Sequence, residues 1–327
     1  MSPNILVTRR LPSAVMALLE ENFEVECNPR NRVLTREELL NSVRDKQGLL
    51  SLLTDNIDLG VMDTAGPQFK IIANYAVGYN NIDVDAATAR RIAVSNTPDV
   101  LTDTTADLTM ALLLAVARRI VESDVYATRG KYQGWDPLLF LGSDVHHKTL
   151  GLLGLGRVGF AVARRAAGFD MKILYYDTQR AAPEVEKQVD AHYVDLETLL
   201  RQSDFLSIHV PLTPNTVGVI GSENLALMKP TAFIINTARG ELIQEEALAK
   251  ALQEKGIAGA GLDVFEHEPA IHPALTGMNN VVILPHIGSA SMETRTKMGL
   301  MAAENLISAF KGEIPPNCLN PEVFGKI

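Results

Sequence analysis

The sequence predicts an α/β protein built as two units, each a mostly parallel sheet with helices packed on it. Three observations lead there. Short β-rich runs alternate with segments of helical spacing along most of the chain. At 327 residues the chain exceeds what one hydrophobic core comfortably organises. A second strand–helix series also starts afresh near residue 148, after a stretch with no clear period.

The first series opens with NILVT (4–8), a β-rich run, then LPSAVMALLEENF, which has helical spacing and a proline near its start. GLLSLL, a polar stretch with LGVMDTAG, and FKIIANYAVG repeat the pattern, followed by DVDAATARR as helix and IAVSNTP as strand. TDTTADLTMALLLAVARRI predicts a long helix over 102–119, because its opening Thr and Asp residues suit a helix start. The next segment, YATRGKYQGWDPLLFLGSDVHHK, is mixed and glycine-punctuated and holds the only tryptophan. KTLGLLGLGRVGFAVARRAAGFDMKILYYD begins the second series, whose later strands are FLSIHV, AFIINTA, IAGAGLDV and VVILP. METRTKMGLMAAENLISAFKG (292–312) reads as a helix after them.

Composition removes several function classes. The chain carries 30 basic and 39 acidic residues, a net charge of -9, with no long basic run, which argues against nucleic acid or an anionic membrane as partner. Cys27 and Cys318 are the only cysteines, too few for a disulfide framework or a zinc cluster. The histidines show no convergent ligand spacing, so no metal is expected. The start MSPNILVTRR lacks a long apolar signal segment, and MALLLAVA (110–117) is too short to cross a bilayer. The expectation is a cytoplasmic protein.

Gly154, Gly156 and Gly159 in GLLGLGRVG form G-x-G-x-x-G directly after an apolar run and at the opening of a helix. The first glycine permits a tight turn, the second admits a pyrophosphate, and the third allows close helix–sheet contact. Helix N–H groups then meet the phosphate charge. The strand MKILYY ends in Asp177, at the distance expected of a ribose-binding carboxylate. That carboxylate suits NAD(H) and repels the 2'-phosphate of NADP(H), although Arg180, three residues on, could soften the repulsion. NAD(H) is therefore the expected cofactor, with NADP(H) as the alternative.

A dinucleotide site implies hydride transfer, and a carbonyl that accepts hydride also needs a proton. Histidine is the natural donor near neutral pH, and a neighbouring carboxylate favours its protonated form. An arginine can anchor a substrate carboxylate bidentately. Arg239 follows AFIINTA, Glu268 precedes Pro269, and His286 follows VVILP, each beyond a strand-like run where open α/β sheets hold ligands. The same residue types also serve as turn salt bridges, solvated loop acids and packed polar side chains. His209, in SIHVPLTP, could likewise line the adenine side of a cofactor crevice or simply pack. On pattern alone both readings stay open.

With these residues in view, the chain resembles the D-isomer-specific 2-hydroxyacid dehydrogenases along its full length. NYAVGYNNID, NTPDVLTDTTADLTMALLL, GLLGLGRVG, NTARGELIQEEAL, GLDVFEHEP and LPHIGSA fall in that family's order. The resemblance implies two Rossmann-like domains. A flavodoxin-like substrate domain comprises 1–99 and 288–327, and a dinucleotide-binding domain, 100–287, is inserted into it and carries a dimerisation arm at about 120–147. It implies that Arg239 binds and polarises substrate, that Glu268 is the acidic partner, and that His286 is the proton donor, the trio meeting substrate in an interdomain cleft. Backbone N–H groups of Val77 and Gly78 would hold the substrate carboxylate, with Leu52 and Leu53 lining the acid pocket.

For the cofactor, the resemblance implies Arg157 and Val158 over the pyrophosphate and Thr105, Asp263 and Gly288 near the nicotinamide. Thr237 and Ala238 would border the carboxamide, and Val210, Pro211 and Thr216 would join His209 along the crevice. Within the family the glyoxylate/hydroxypyruvate reductase branch is the best match, which implies a homodimer whose Trp135 reaches the partner's active site. Another enzyme of the family, of the D-lactate, phosphite or 3-phosphoglycerate type, remains an alternative, and so does a dinucleotide-sensing interaction protein.

Overall fold

The structure, a computed structural model, describes residues 2–325. Met1–Leu101 with Ala290–Ile327 forms one compact unit and Thr102–Ser289 the other.

The first unit runs β1 (Asn4–Val7), α1 (Ser13–Asn22), β2 (Glu24–Cys27), α2 (Arg36–Val43), β3 (Gly48–Ser51), α3 (Leu59–Ala65), β4 (Ile71–Asn74), α4 (Val84–Ala89) and β5 (Ala93–Ser95). Its strands lie in the order β2-β1-β3-β4-β5 and all pair in parallel, the flavodoxin-like order. β3, β4 and β5 are buried along their whole length, which is why they read as unbroken apolar runs. The polar edge strand β2 and helix α2 were not anticipated. β2 alternates exposed and half-buried residues, so burial imposes no apolar run on it. α2 does carry a signal: Thr35 and Glu38 form a reciprocal capping box at its start.

The second unit continues with α5 (Thr102–Ala117), α6 (Ile120–Thr128), β6 (Thr149–Leu153), α7 (Arg157–Ala166), β7 (Lys172–Tyr176), α8 (Pro183–Val189), β8 (Ala191–Tyr193), α9 (Leu196–Gln202) and β9 (Phe205–Ile208). Then come α10 (Ser222–Leu227), β10 (Phe233–Asn236), α11 (Glu245–Gln253), β11 (Gly259–Leu262) and β12 (Val281–Ile283). α12 (Met292–Phe310) follows and belongs to the first unit. The seven strands are all parallel, in the order β12-β11-β10-β9-β6-β7-β8. The chain starts at β6, winds outward to β8, then crosses to β9 on the other side of β6. That reversal opens a crevice beyond the strand ends between β6 and β9, where such sheets bind ligands.

Both sheets are covered on both faces. In the second unit α5 and α7 pack against one face, around Leu113, Leu150, Val162 and Ile235. α9 and α11 cover the other, around Leu199, Leu206, Ile234 and Leu248. In the first unit α1 and α12 cover one face, with Val15, Leu19, Ala302 and Leu306, and α2 to α4 the other. Each such aliphatic side chain taken fully out of water contributes roughly 1.5–3 kcal/mol, so the two doubly covered sheets form firm platforms for the loops at their ends. α6 buries none of its residues. Among the described residues no helix is long and apolar enough to cross a membrane.

Candidate active site

The glycine loop follows β6 at the crevice. Gly154 has φ +99, a left-handed conformation that an L side chain rarely adopts, and an added Cβ would lie 3.0 Å from the His209 carbonyl. At Gly159 a Cβ would collide with the Gly154 carbonyl oxygen, so α7 can approach β6 this closely only with glycine there. Gly156 differs: nothing lies within 4 Å of its added Cβ. It is also the N-cap of α7, which has no side-chain cap. An open backbone approach beside uncapped helix N–H groups is what a pyrophosphate needs. The residues therefore fit a dinucleotide. Arg157 beside them is exposed and Val158 half-buried.

Asp177, just past β7, accepts from the N–H of Leu155 at 3.1 Å and of Thr178 at 2.8 Å, so it ties the glycine loop to the end of β7. Arg180 is turned to another partner: its guanidinium makes two hydrogen bonds to Glu186, at 2.8 and 2.9 Å. The Arg180 bond, with that of the Tyr175 hydroxyl, holds the Glu186 carboxyl down to about 2. On the β9 side, the His209 N–H bonds the Leu153 carbonyl at 2.7 Å, and its Nε2 lies 2.8 Å from the Ser207 hydroxyl. His209 is half-buried as a residue, but protein surrounds its ring and pushes the imidazole down to about 3, which keeps it neutral. The Val210 side chain also packs on Gly154. Thr216 bonds the Pro211 carbonyl at 2.7 Å and shapes its own turn.

The trio sits beyond three strands of the same sheet. Arg239 follows β10, where Asn236 fixes its backbone: the Asn236 amide donates to the Arg239 carbonyl at 2.8 Å and accepts from the Ala238 N–H at 3.0 Å. One Arg239 N–H group is spent on the Ala238 carbonyl, at 2.7 Å. Gly240 packs so tightly on the Phe265 peptide that any Cβ would collide with it, and this joins the arginine turn to the loop after β11. In that loop Glu266 and Glu245 exchange backbone and carboxylate bonds at 2.8 and 3.2 Å, anchoring it to the start of α11.

Glu268 follows directly, with one carboxylate oxygen on the Phe265 N–H at 3.1 Å and the other 2.9 Å from His286 Nδ1. Burial pushes the Glu268 carboxyl up, but the His286 bond and charge, the Phe265 N–H and Arg239 outweigh it and hold it below the ordinary carboxylate range. An ionised carboxylate can only accept, so the proton facing it sits on Nδ1 of His286, and Nε2 is the edge available to substrate. His286 itself is held at φ +55, an unusual conformation for a non-glycine residue. Asp263 maintains it by accepting from the N–H groups of the next two residues, Ile287 at 2.7 Å and Gly288 at 2.8 Å. Burial raises the Asp263 carboxyl against these donors and the His286 charge. Burial likewise lowers the Arg239 guanidinium, opposed by Glu241 and Glu268.

Thr105 packs toward Gly288. The Thr109 hydroxyl donates to the Thr105 carbonyl at 2.8 Å, which leaves Thr237 as donor in their 2.8 Å hydroxyl pair. Leu52 is half-buried, Leu53 is 37% exposed, and Val77 and Gly78 lie in a loop after β4; all four belong to the first unit. Trp135 is 84% exposed, within a run of exposed apolar side chains that includes Ile120, Val121, Leu138 and Leu141. Among the described residues no cluster of three His, Cys, Asp or Glu side chains could hold a metal. Asn236 and the Asp263 bonds to the His286 loop were not anticipated. The available signal was an asparagine at the end of an apolar strand, in FIIN, and an aspartate immediately after one, in GAGLD.

The family profile described as "D-isomer specific 2-hydroxyacid dehydrogenase, NAD binding domain" matches residues 110–288. The chain is 51% identical over 327 residues to a glyoxylate reductase of Thermococcus litoralis, covering 99% of this chain and 98% of that one. It is 52% identical over 326 residues to one of Korarchaeum cryptofilum, covering 99% and 97%. A structure of the NADPH-dependent glyoxylate/hydroxypyruvate reductase of Sinorhizobium meliloti, in complex with NADP and malonate, superposes with a TM-score of 0.86 at 34% identity, covering 100% of this chain and 99% of that one.

Proposed function

The chain belongs to the D-isomer-specific 2-hydroxyacid dehydrogenases, and on that premise we propose that it reduces glyoxylate, and hydroxypyruvate beside it, to glycolate and D-glycerate with NADH as the preferred cofactor. The observation that carries the reading is the 2.9 Å contact between His286 and Glu268, with Arg239 charged beside them.

In this reading Gly154, Gly156 and Gly159 hold the pyrophosphate at the start of α7, and Asp177 accepts the ribose hydroxyls. The bound dihydronicotinamide supplies the hydride. Arg239 holds the substrate carboxylate and draws electron density toward the carbonyl oxygen. His286 Nε2 donates the proton to the forming alkoxide, while Glu268 fixes the ring at Nδ1 and balances its charge. Val77 and Gly78 offer backbone N–H groups to the same carboxylate, and Leu52 and Leu53 limit the length of acid admitted. The exposed apolar arm at about 120–147 supports a homodimer in which Trp135 contributes to the partner's pocket. Two free cysteines suit a reducing cytoplasm.

The test is cofactor oxidation with glyoxylate, hydroxypyruvate, pyruvate and phosphohydroxypyruvate, each with NADH and NADPH under matched conditions. Strong turnover of the first two is expected. Activity on only one of the others would reassign the substrate within the family. Tight NADH binding without turnover on any of the four would favour a dinucleotide-sensing protein.

A further inference from the structure

The carboxylate role of the loop after β4 rests on the functional reading above, but the first unit contains an arrangement that this role does not explain by itself. Three successive peptide carbonyls are tied back toward the sheet. Ala76 accepts from the Thr97 N–H at 2.9 Å, Val77 from the Asn96 side-chain amide at 2.8 Å, and Gly78 from the Asn74 side-chain amide at 2.9 Å. Both asparagines are buried, Asn74 at 0% and Asn96 at 7% exposure. Each meets a carbonyl, so the edge it presents must be its NH2 group.

Those three peptides are trans, and in a trans peptide the N–H points opposite to its C=O. Holding the carbonyls of residues 76, 77 and 78 inward therefore aims the N–H groups of Val77, Gly78 and Tyr79 outward together. Among the described residues none of these three N–H groups donates to a protein acceptor. Consecutive N–H groups left open by their peptides are the material of an anion-binding concavity. The frame behind them is itself cross-braced. The Asn74 amide pairs with that of Asn81 at 3.2 Å and its oxygen accepts from Ser51 at 3.2 Å. Asn81 in turn donates to the carbonyls of Leu52 at 3.1 Å and Asp55 at 3.0 Å.

We propose that Asn96 and Asn74 are positioning residues that aim the N–H groups of Val77, Gly78 and Tyr79 at the substrate carboxylate. They act through the backbone and touch no reacting atom. Removing either leaves the N–H groups in place but frees their peptide planes to rotate, so anchoring of the acid weakens while the proton-transfer trio is untouched.

The test uses the whole enzyme with Asn96→Ala and the nearly isosteric Asn96→Asp, which keeps the shape and loses the donor. KM and kcat for glyoxylate are measured together with binding of oxalate to the enzyme–NADH complex by calorimetry, NADH affinity by fluorescence, and the melting temperature. Both variants should raise KM and the oxalate Kd about tenfold, the loss of one orienting hydrogen bond of ~1.4 kcal/mol. kcat should stay within about threefold and NADH affinity should not change. Unchanged KM and oxalate affinity would overturn the assignment. So would a fall in kcat and melting temperature with KM intact, or loss of the fold in both variants, since each makes Asn96 merely structural. If the wild type binds oxalate, the variants weaken it and no 2-oxo acid is reduced, the positioning role stands and the functional reading falls. If glyoxylate is reduced but the variants keep its KM, the reverse holds.

Discussion

Replacing Asp177 by Asn tests cofactor choice with one atom changed. The side chain sits half-buried at the end of β7, and its two oxygens take the N–H groups of Leu155 and Thr178 at 3.1 and 2.8 Å. Asparagine keeps the shape and one acceptor, so the glycine loop should survive with one backbone bond lost. A 2'-phosphate carries a charge of roughly -1.5 to -2. Unit charges 4 Å apart interact by about 1 kcal/mol in water and about 4 kcal/mol at an effective dielectric constant of 20. At a half-buried rim ~2 kcal/mol of repulsion is a fair middle figure, so NADPH efficiency should rise roughly thirtyfold in the variant. NADH should lose ~1 kcal/mol, about fivefold, as a charge-assisted ribose bond becomes neutral. The ratio of kcat/KM for the two cofactors should thus move by roughly two orders of magnitude, and less at high salt because the repulsion is screened. The assay is initial rate with saturating glyoxylate at low and high ionic strength. A ratio that moves less than about threefold at low salt would refute the electrostatic account. Adding Glu186→Gln should shift the ratio further toward NADPH, because Arg180 is then released from its two bonds to Glu186.

Three more outcomes are expected. His286→Ala should cut kcat by roughly 10²–10⁴ while NADH binds with near-native affinity by fluorescence titration; near-normal turnover would remove its role as acid. Arg239→Lys should raise the glyoxylate KM by roughly 10²-fold, since an ammonium cannot make the paired contact and one Arg239 bond already fixes the loop through the Ala238 carbonyl; an unchanged kcat/KM would count against anchoring. For pH, Arg180 holds the Glu186 carboxyl at about 2 against its ordinary 4.5. A lowered folded-state value contributes stability that is present above the unfolded value and lost as pH falls through the folded one. Wild type should therefore lose its advantage over Glu186→Gln between pH ~4.5 and ~2, read by chemical denaturation; a difference that persists below that window would show that the pair does not titrate this way.

How much of this was legible in sequence depended on whether the signal was local. The glycine motif was, because each glycine answers a demand made within a few residues: the positive φ of Gly154, the open face of Gly156, and the approach of α7 that Gly159 permits. The buried strands were, because burial on both faces forces continuous apolar runs. The edge strands β2 and β8 were not, being short and only partly covered. For Arg239, Glu268 and His286, the needs of hydride transfer to an oxo acid, an anchor, a counter-charge and a proton, offered candidates, and the resemblance to the family grouped them as a trio.

The sequence by itself determined the α/β class, the dinucleotide loop and the residue types available for reaction. Only the tertiary structure decided which atoms meet. It put Glu268 on Nδ1 of His286 and turned Arg180 onto Glu186. It also gave Asp263 the backbone beyond His286, and set Asn236 to hold the arginine turn. Asn74 and Asn96 show the reason. Each ends or follows an apolar strand as a polar letter with no partner in sight. Asn74 reaches a carbonyl only four residues on, within its own loop, but the Asn96 donor finds the Val77 carbonyl only when parallel strands lay their outgoing loops side by side. A hydrogen bond between residues far apart in the chain has no periodicity to read. It is fixed by the strand order, and the strand order exists only once the sheet has formed.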